Sequence, residues 1–496
     1  MPYTRCEIRS LGEVWNDAIL WYAKGVREVS ARPVTQKTSW RYLAAMHDFH
    51  RGWWEQLGYL QPGEVLPPST EQRIFWKQCQ HGSWYFLPWH RAYLLSFEAI
   101  VRDAIASLGG PADTWALPYW NYNGPAADAM ELPPAFAELN LPDGSPNPLH
   151  VTARYLPGIM PGDIDLKPAL SEDSFIGASN GPMVGFGGPE TAFSEGGSGH
   201  GLLESRPHDM VHGDLGGENG LMSYPESAAL DPIFWLHHCN IDRLWEVWRQ
   251  RDAGNVDPTE AAWLNGPADR VFAIFGADGN PIACNPGDMA SLPALGYDYD
   301  DVSDPLPGVS RRGTRLGGLH EAFDLAGVEE PVAKPPKFEL LGSSDSELPV
   351  SEGAETARVA IAARPERNWS ASFNEAAMAE DQPGEPDRVF LVLENIRGTE
   401  DARILDVYVH APGQTQEALA GSVSLFGLDA ASDPDGAHGG GGLSKTLEVT
   451  GLFDQLRVEG KSPSELEVRI APRGVAKGED KIRIGQISLH RQAIDE

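Results

Sequence analysis

The chain has 496 residues, 41% of them hydrophobic, with 15 Trp, 17 Phe and 13 Tyr, which is length for two domains and apolar material for a large core. A formal charge of −32 excludes nucleic acid and anionic membrane surfaces as natural partners. There is no run of about 18 apolar residues to cross a membrane and no apolar core of a signal peptide at the N-terminus, so a cytoplasmic protein is expected.

Residues 9–30 carry a weakly helical pattern, and Ser39 is a plausible N-cap for a second helical stretch over 39–58 that contains His47 and His50. The next informative stretch is Cys79–Glu98. His81 and His90 are nine residues apart, about two and a half turns, so one straight helix would point their rings in opposite directions. Pro88 resolves this, because proline cannot sit in a helix interior but suits the first turn of a new one. His90 then opens a helix with apolar positions at Leu94, Phe97, Val101 and Ile105. His81 lies on the segment before it, so the two rings can converge.

Residues 109–200 are rich in Pro, Gly and Asn and predict loops draped over a helical core. Gly187–Gly201 lacks the features of a phosphate loop and is read as a plain flexible loop. Pro207 marks a helix start that places His208 and His212 on one face. Asp231 caps a long helix with Pro232 at its first position, running to about Gln250 and carrying His237 and His238. Pro- and Gly-rich residues 305–350 read as linker. Beyond them the period falls to two, as in Val389–Ile396, Ile404–His410 and Ile482–Leu489, which predicts a β-sandwich.

Of 14 histidines, most fall in two clusters, 47, 50, 81 and 90, then 208, 212, 237 and 238; His150, His200, His320, His410, His438 and His490 read as ordinary surface or core groups. The four cysteines, Cys6, Cys79, Cys239 and Cys284, form no CxxC pair and no disulfide framework. Neutral imidazole suits Cu, Zn, Fe and Ni. Two sets of three favour copper, since catalytic zinc needs one set plus water.

The run His81-x4-Phe86-Leu-Pro-Trp89-His90-Arg91-x2-Leu94-x3-Glu98 resembles the first copper signature of the tyrosinase family of type 3 copper proteins, and Asp231-Pro-x-Phe234-Trp235-x2-His238-x3-Asp242 resembles the second. Tyr297-Asp-Tyr299 is similar to the Tyr-x-Tyr motif that closes the family's catalytic domain. The resemblance implies two copper ions as cofactor, one held by His47, His81 and His90 and the other by His208, His212 and His238, with O2 as co-substrate. Helical geometry leaves His50 and His237 open as alternatives to His47 and His238; the run Ser39–His47 resembles the fungal-type segment whose last histidine is the ligand, and the motif spacing selects His238, which makes His237 a packing or supporting neighbour. Cys79-x-His81 is similar to the fungal arrangement in which the sulfur is bonded to the histidine ring. Glu204 matches a carboxylate that positions water, and Asp209 stands where tyrosinases often have Asn.

The fold implied is a mainly α catalytic domain over residues 1–305, a four-helix bundle holding the dicopper centre among long loops, then a linker (306–345) and a C-terminal all-β sandwich (346–496). In the family such a domain often covers the site and keeps the enzyme latent, with Phe426 as the candidate blocking residue and Trp369 and Phe453 as alternatives. Implied partners are small phenols and O2, with ortho-hydroxylation of monophenols and oxidation of o-diphenols to o-quinones. Catechol oxidase, o-aminophenol oxidase and, more distantly, a haemocyanin-like O2 carrier are the competing activities. A homo-oligomer is compatible with the sequence.

Overall fold

The structure, a computed structural model, describes residues 3–154, 158–177, 182–194, 196–307, 337–351, 353–361, 388–399, 401–412, 417–436, 440–458, 464–473 and 482–493. The chain divides into two units. One takes in Met1–Leu166, Glu190–Gly197 and Leu203–Pro305, the other Lys167–Pro189, Ser198–Leu202 and Leu306–Glu496. Among the described residues no helix is long and apolar enough to cross a membrane.

The first unit is helical. Strand β1 (Tyr3–Arg5) leads into α1 (Asp17–Ser30) and α2 (Trp40–His47), which begin at Asn16 and Ser39; the side chains of these caps accept from the amides of Ile19 and Tyr42. The helical stretch expected over 39–58 breaks at Asp48, whose backbone is extended, and resumes as α3 (Arg51–Gln56). His50 sits at this break as the cap of α3, its Nδ1 accepting from the Trp53 amide at 3.1 Å. Helix α4 (Ser69–Phe75) follows, then α5 (Phe86–Ser107), in which Pro88 occupies the first turn.

The short α6 (Lys167–Leu170) belongs to the second unit. Helix α7 (Asp209–Gly216) starts just after Pro207, and the four-residue α8 (Pro225–Ala228) precedes α9 (Pro232–Arg251). Asp231 caps α9 by accepting from the Ile233 amide, and it also receives the Arg154 guanidinium. Helix α1 packs on α5, and α5 on α9. At the α5–α9 seam the ring of Trp235 stacks on Phe97 with centroids 3.6 Å apart.

The sequence ends of this unit are stapled together. After the hairpin β2 (Phe272–Phe275) and β3 (Pro281–Cys284), strand β4 (Tyr297–Tyr299) pairs in parallel with β1, Tyr3 opposite Tyr297 and Arg5 opposite Tyr299. This pairing buries Arg5 completely. Its guanidinium donates to Glu98 at 2.8 Å and to Asp242 at 3.2 Å, and Asp242 also accepts from the hydroxyls of Tyr297 (2.7 Å) and Tyr299 (2.5 Å) and from Arg91 Nε (2.5 Å). Each carboxylate would be costly to bury alone and is tolerated because its partners are fixed around it.

The second unit holds the sheet. Its strands are β5 (Lys337–Ser344), β6 (Leu348–Val350), β7 (Glu355–Ile361), β8 (Arg388–Arg397), β9 (Ile404–His410), β10 (Ala418–Ser424), β11 (Leu443–Glu448), β12 (Glu465–Pro472) and β13 (Ile482–Ala493). They form one hydrogen-bonded sheet in the order β10-β9-β12-β7-β5-β13-β8-β11, with β6 on β13. The expected sandwich therefore takes the form of a single curled sheet around one apolar core that includes Leu391, Val407, Leu466 and Ile487. Register shifts at Leu419/Gly421, Leu443/Lys445 and Leu489/His490 bend it. Alternation along a strand specifies one buried face in either architecture. Strand β5 lies within the stretch read as linker; residues 308–336 and Trp369 are outside the described residues.

Candidate metal centre

Each candidate histidine is delivered by a different local device. His47 is the last residue of α2; His81 lies on the segment before α5; His90 is in the first turns of α5; His208 and His212 are one turn apart at α7; and His238 lies on α9. All six are buried. In the first group the ring centroids are 5.3 Å apart for His47–His81, 5.7 Å for His47–His90 and 5.6 Å for His81–His90. In the second they are 4.5 Å for His208–His212, 4.9 Å for His208–His238 and 5.8 Å for His212–His238. The groups adjoin, with His90 stacked on His238 at 4.4 Å and 9°. His50 is exposed on another helix's cap and takes no part.

The rings are oriented by backbone carbonyls that sequence gave no means of naming. His47 Nδ1 faces the Pro225 carbonyl at 2.9 Å, His90 Nδ1 that of Phe86 at 2.8 Å, and His212 Nδ1 that of Met222 at 2.6 Å. Donation from Nδ1–H puts the lone pair on Nε2, the tautomer a metal requires. Burial pushes His47 down to about 4 and His212 down to about 3, and drives His90, His208 and His238 well below the ordinary histidine value. The rings are accordingly neutral. The Nε2 atoms of His47 and His90 and both ring nitrogens of His238 are buried without a hydrogen-bond partner among the described residues. A buried ring nitrogen without a partner costs about 1–3 kcal/mol, and a pair of copper ions supplies what the acceptor nitrogens lack.

The loop around His81 is built on glycine. The His81 amide donates to the Ser194 carbonyl at 3.2 Å, and its own carbonyl accepts from the Gly197 amide at 2.9 Å and from Ser194 Oγ at 2.8 Å. A Cβ on Gly82, which has φ +60°, would lie 2.4 Å from the Gly197 carbonyl oxygen, and one on Gly197 would lie 2.3 Å from that of Gly82. The stretch Gly187–Gly201 is thus no plain flexible loop: part of it clamps the segment that presents His81.

Cys79 is fully buried with Sγ 3.6 Å from His81 Nδ1. Glu204 is buried, and its carboxylate accepts from the Gly82 amide at 2.9 and 3.1 Å. Asp209 is buried with Oδ1 3.0 Å from His208 Nδ1. Phe86 stands over the centre, its ring 4.6 Å from His90 and 4.7 Å from His208. In the sheet unit Phe426 is fully buried, and Phe453 belongs to that unit's apolar core.

Comparison with known proteins agrees with this geometry. The family described as the common central domain of tyrosinase matches residues 37–156 and 167–251, and residues 337–492 match a family described only as a domain of unknown function. A tyrosinase from Hahella sp. (strain CCB-MM4) is 32% identical over 97% of this chain and 98% of its own length. A chloroplastic polyphenol oxidase of Malus domestica is 28% identical over 63% of this chain and 54% of its own length. Among solved structures, latent apple tyrosinase shares the fold with a TM-score of 0.58 at 23% identity, over 99% of this chain and 98% of that one. The chain belongs to the tyrosinase family of type 3 copper proteins, copper-dependent oxidases of phenols, and carries a C-terminal sheet-rich domain.

Proposed function

We propose that this protein is a tyrosinase proper, hydroxylating monophenols at the ortho position and oxidising o-diphenols to o-quinones. His47, His81 and His90 would hold one copper and His208, His212 and His238 the other. The observation that carries the assignment is the shared device at His47, His90 and His212, whose Nδ1 atoms are engaged by backbone carbonyls while the rings stay neutral in a buried cluster. The copper pair, when bound, supplies O2 activation and accepts electrons from the phenol. The chain's own residues provide the rest. The Gly82 amide holds the Glu204 carboxylate, which suits it to take a phenol proton through water. Phe86 offers an aromatic wall beside His90 and His208.

Asp209 favours one alternative, oxidation of o-diphenols or o-aminophenols with little monophenol hydroxylation. Its carboxylate is engaged by His208, where an Asn would offer a neutral amide to water. Latency is inferred from the likeness to latent apple tyrosinase, and Phe426 would be the side chain that blocks the site. The test is copper analysis of the purified protein, followed by rates on a monophenol, an o-diphenol and an o-aminophenol, before and after limited proteolysis and in a Phe426→Ala variant. Two coppers per chain, hydroxylation of the monophenol and a higher rate after cleavage or in the variant are expected. One metal per chain refutes the copper assignment; no monophenol turnover in the activated enzyme selects the alternative; equal rates before and after refute latency.

A further inference from the structure

A file of aromatic rings runs from the histidine cluster to the surface of the helical unit. It starts at Trp89, which lies against two ligand rings, its centroid 4.8 Å from that of His90 and 6.2 Å from that of His47. The steps onward are 4.9 Å to Tyr93, 4.7 Å from Tyr93 to Trp235 and 6.1 Å from Trp235 to Trp40, all within the range of direct ring contact. Trp40 opens the eight-residue helix α2 that His47 closes, about 10 Å away along its axis. It is the member nearest solvent, 4% exposed against 1% for Trp89 and Tyr93 and 0% for Trp235.

Packing alone does not account for the indoles. Among the described residues, Nε1 of Trp89 and Nε1 of Trp235 are buried without a hydrogen-bond partner. A buried N–H left so costs about 1–3 kcal/mol, which a phenylalanine in the same place would avoid. What indole offers in exchange is ease of one-electron oxidation. With no acceptor beside Nε1 the ring gives up an electron and keeps its proton, so the loss is readily reversed. The Tyr93 hydroxyl donates to the Leu43 carbonyl at 2.6 Å. A carbonyl is no base for that proton, so Tyr93 bridges the two indoles and does not hold the charge.

We propose that Trp89, Trp235 and Trp40 form an electron-transfer path that discharges an oxidised metal centre when no phenol is bound, sparing the ligand histidines. The proposal rests on the dicopper assignment above. The oxidising equivalents come from O2 or hydrogen peroxide, and the electrons from an o-diphenol in solvent. One electron leaves Trp89 for the oxidised centre, which takes one proton from water. Trp235 refills Trp89 across Tyr93, and Trp40 refills Trp235. The o-diphenol refills Trp40, releases one proton to water and departs as the semiquinone. Two such passes discharge the centre.

The test mixes copper-loaded protein with hydrogen peroxide, without phenol and with a nitrosoalkane spin trap present. Radicals are followed by EPR, adducts and oxidised histidines by peptide mass spectrometry, and copper by elemental analysis. The parent protein should show a tryptophan radical and an adduct on Trp40, both absent from copper-free protein. Trp235→Phe leaves Trp40 in place but should abolish its adduct, and should oxidise ligand histidines and release copper at fewer equivalents of peroxide. Trp40→Phe should lose the adduct and copper in the same way while keeping the initial rate of o-diphenol oxidation. No tryptophan radical in parent protein that holds two coppers, or a Trp40 adduct that persists in Trp235→Phe, would overturn the path. Fewer than two coppers in the loaded parent would overturn the dicopper assignment instead. Where Trp235→Phe does not fold, Trp40→Phe decides: copper retained through the same peroxide series as in the parent refutes the exit.

Discussion

Glu98 and Asp242, the last residues of the two copper signatures, share one buried guanidinium, that of Arg5, at 2.8 Å and 3.2 Å. The signatures therefore encode more than ligands. Each closes on a carboxylate that ties its helix, α5 or α9, to the N-terminal strand, and Tyr297 and Tyr299 complete the ring of donors around Asp242. Replacing Arg5 with Met removes the cation the two buried carboxylates share, leaving Asp242 to Arg91 and the two tyrosines and Glu98 to the Leu117 amide and Arg102. A loss of about 3–5 kcal/mol in stability is expected, read by denaturant unfolding of the apo-protein; an unchanged midpoint would refute the coupling.

The same network sets a pH dependence. Burial pushes the Asp242 carboxyl up, but Arg91, Arg5 and the two tyrosine hydroxyls hold it below the usual carboxylate range. A group lowered on folding contributes stability that is complete above its unfolded value, about 3.9, and is lost as pH falls below it. Stability of the parent protein should fall in that acid window, and Asp242→Asn should show a flatter acid limb from a lower plateau. Parallel acid limbs for the two proteins would count against it.

How much of this was legible in the sequence varied with the range of the interaction. His81, Pro88 and His90 could be placed because proline and helical period act locally, and Asp231-Pro232 announced its helix start for the same reason. His47 and His50 are three residues apart and local pattern cannot separate them. What separates them is an extended Asp48 and a Pro225 carbonyl far along the chain. The role of Ser194 and Gly197 behind His81 was hidden likewise, since a loop's partners are not written in its composition. The sheet's curl rests on register shifts that alternation does not encode.

His47 and His50 supply a direct experiment. His47→Ala should lower the copper content by one, whereas His50→Ala should leave it intact and cost only the cap of α3, about 1 kcal/mol. Elemental analysis with thermal unfolding of both variants reads the two effects. Loss of copper in His50→Ala would reverse the assignment.

At Cys79 the 3.6 Å approach of sulfur to the His81 ring is the placement a thioether needs. We expect copper-loaded, aerated protein to yield a cross-linked peptide containing both residues, lighter by two hydrogens and closed to thiol alkylation after denaturation. Cys79→Ser should then bind copper but hold the His81 ring less firmly. Quantitative alkylation of Cys79 in the loaded protein would eliminate the bond.

The sheet unit is not attached through the 308–336 stretch alone. The Ser444 amide donates to the Ser198 carbonyl at 2.7 Å and Thr446 Oγ1 to the Pro182 carbonyl at 2.8 Å, so segments from 167–189 and 198–202 line the outer edge of β11. Lys445 points inward there, buried with its ammonium 3.2 Å from His200 Nδ1. Those segments run on covalently into the helical unit at Leu166, Glu190 and Leu203. Covering an edge strand also removes a site of unwanted pairing. Cleavage within 308–336 should therefore give two fragments on a denaturing gel that still elute together by size exclusion. Weakening the edge, by Thr446→Pro with its lost hydroxyl and lost amide, should let the fragments separate at lower denaturant. Immediate separation of the nicked parent protein would show that the edge pairing does not hold the unit.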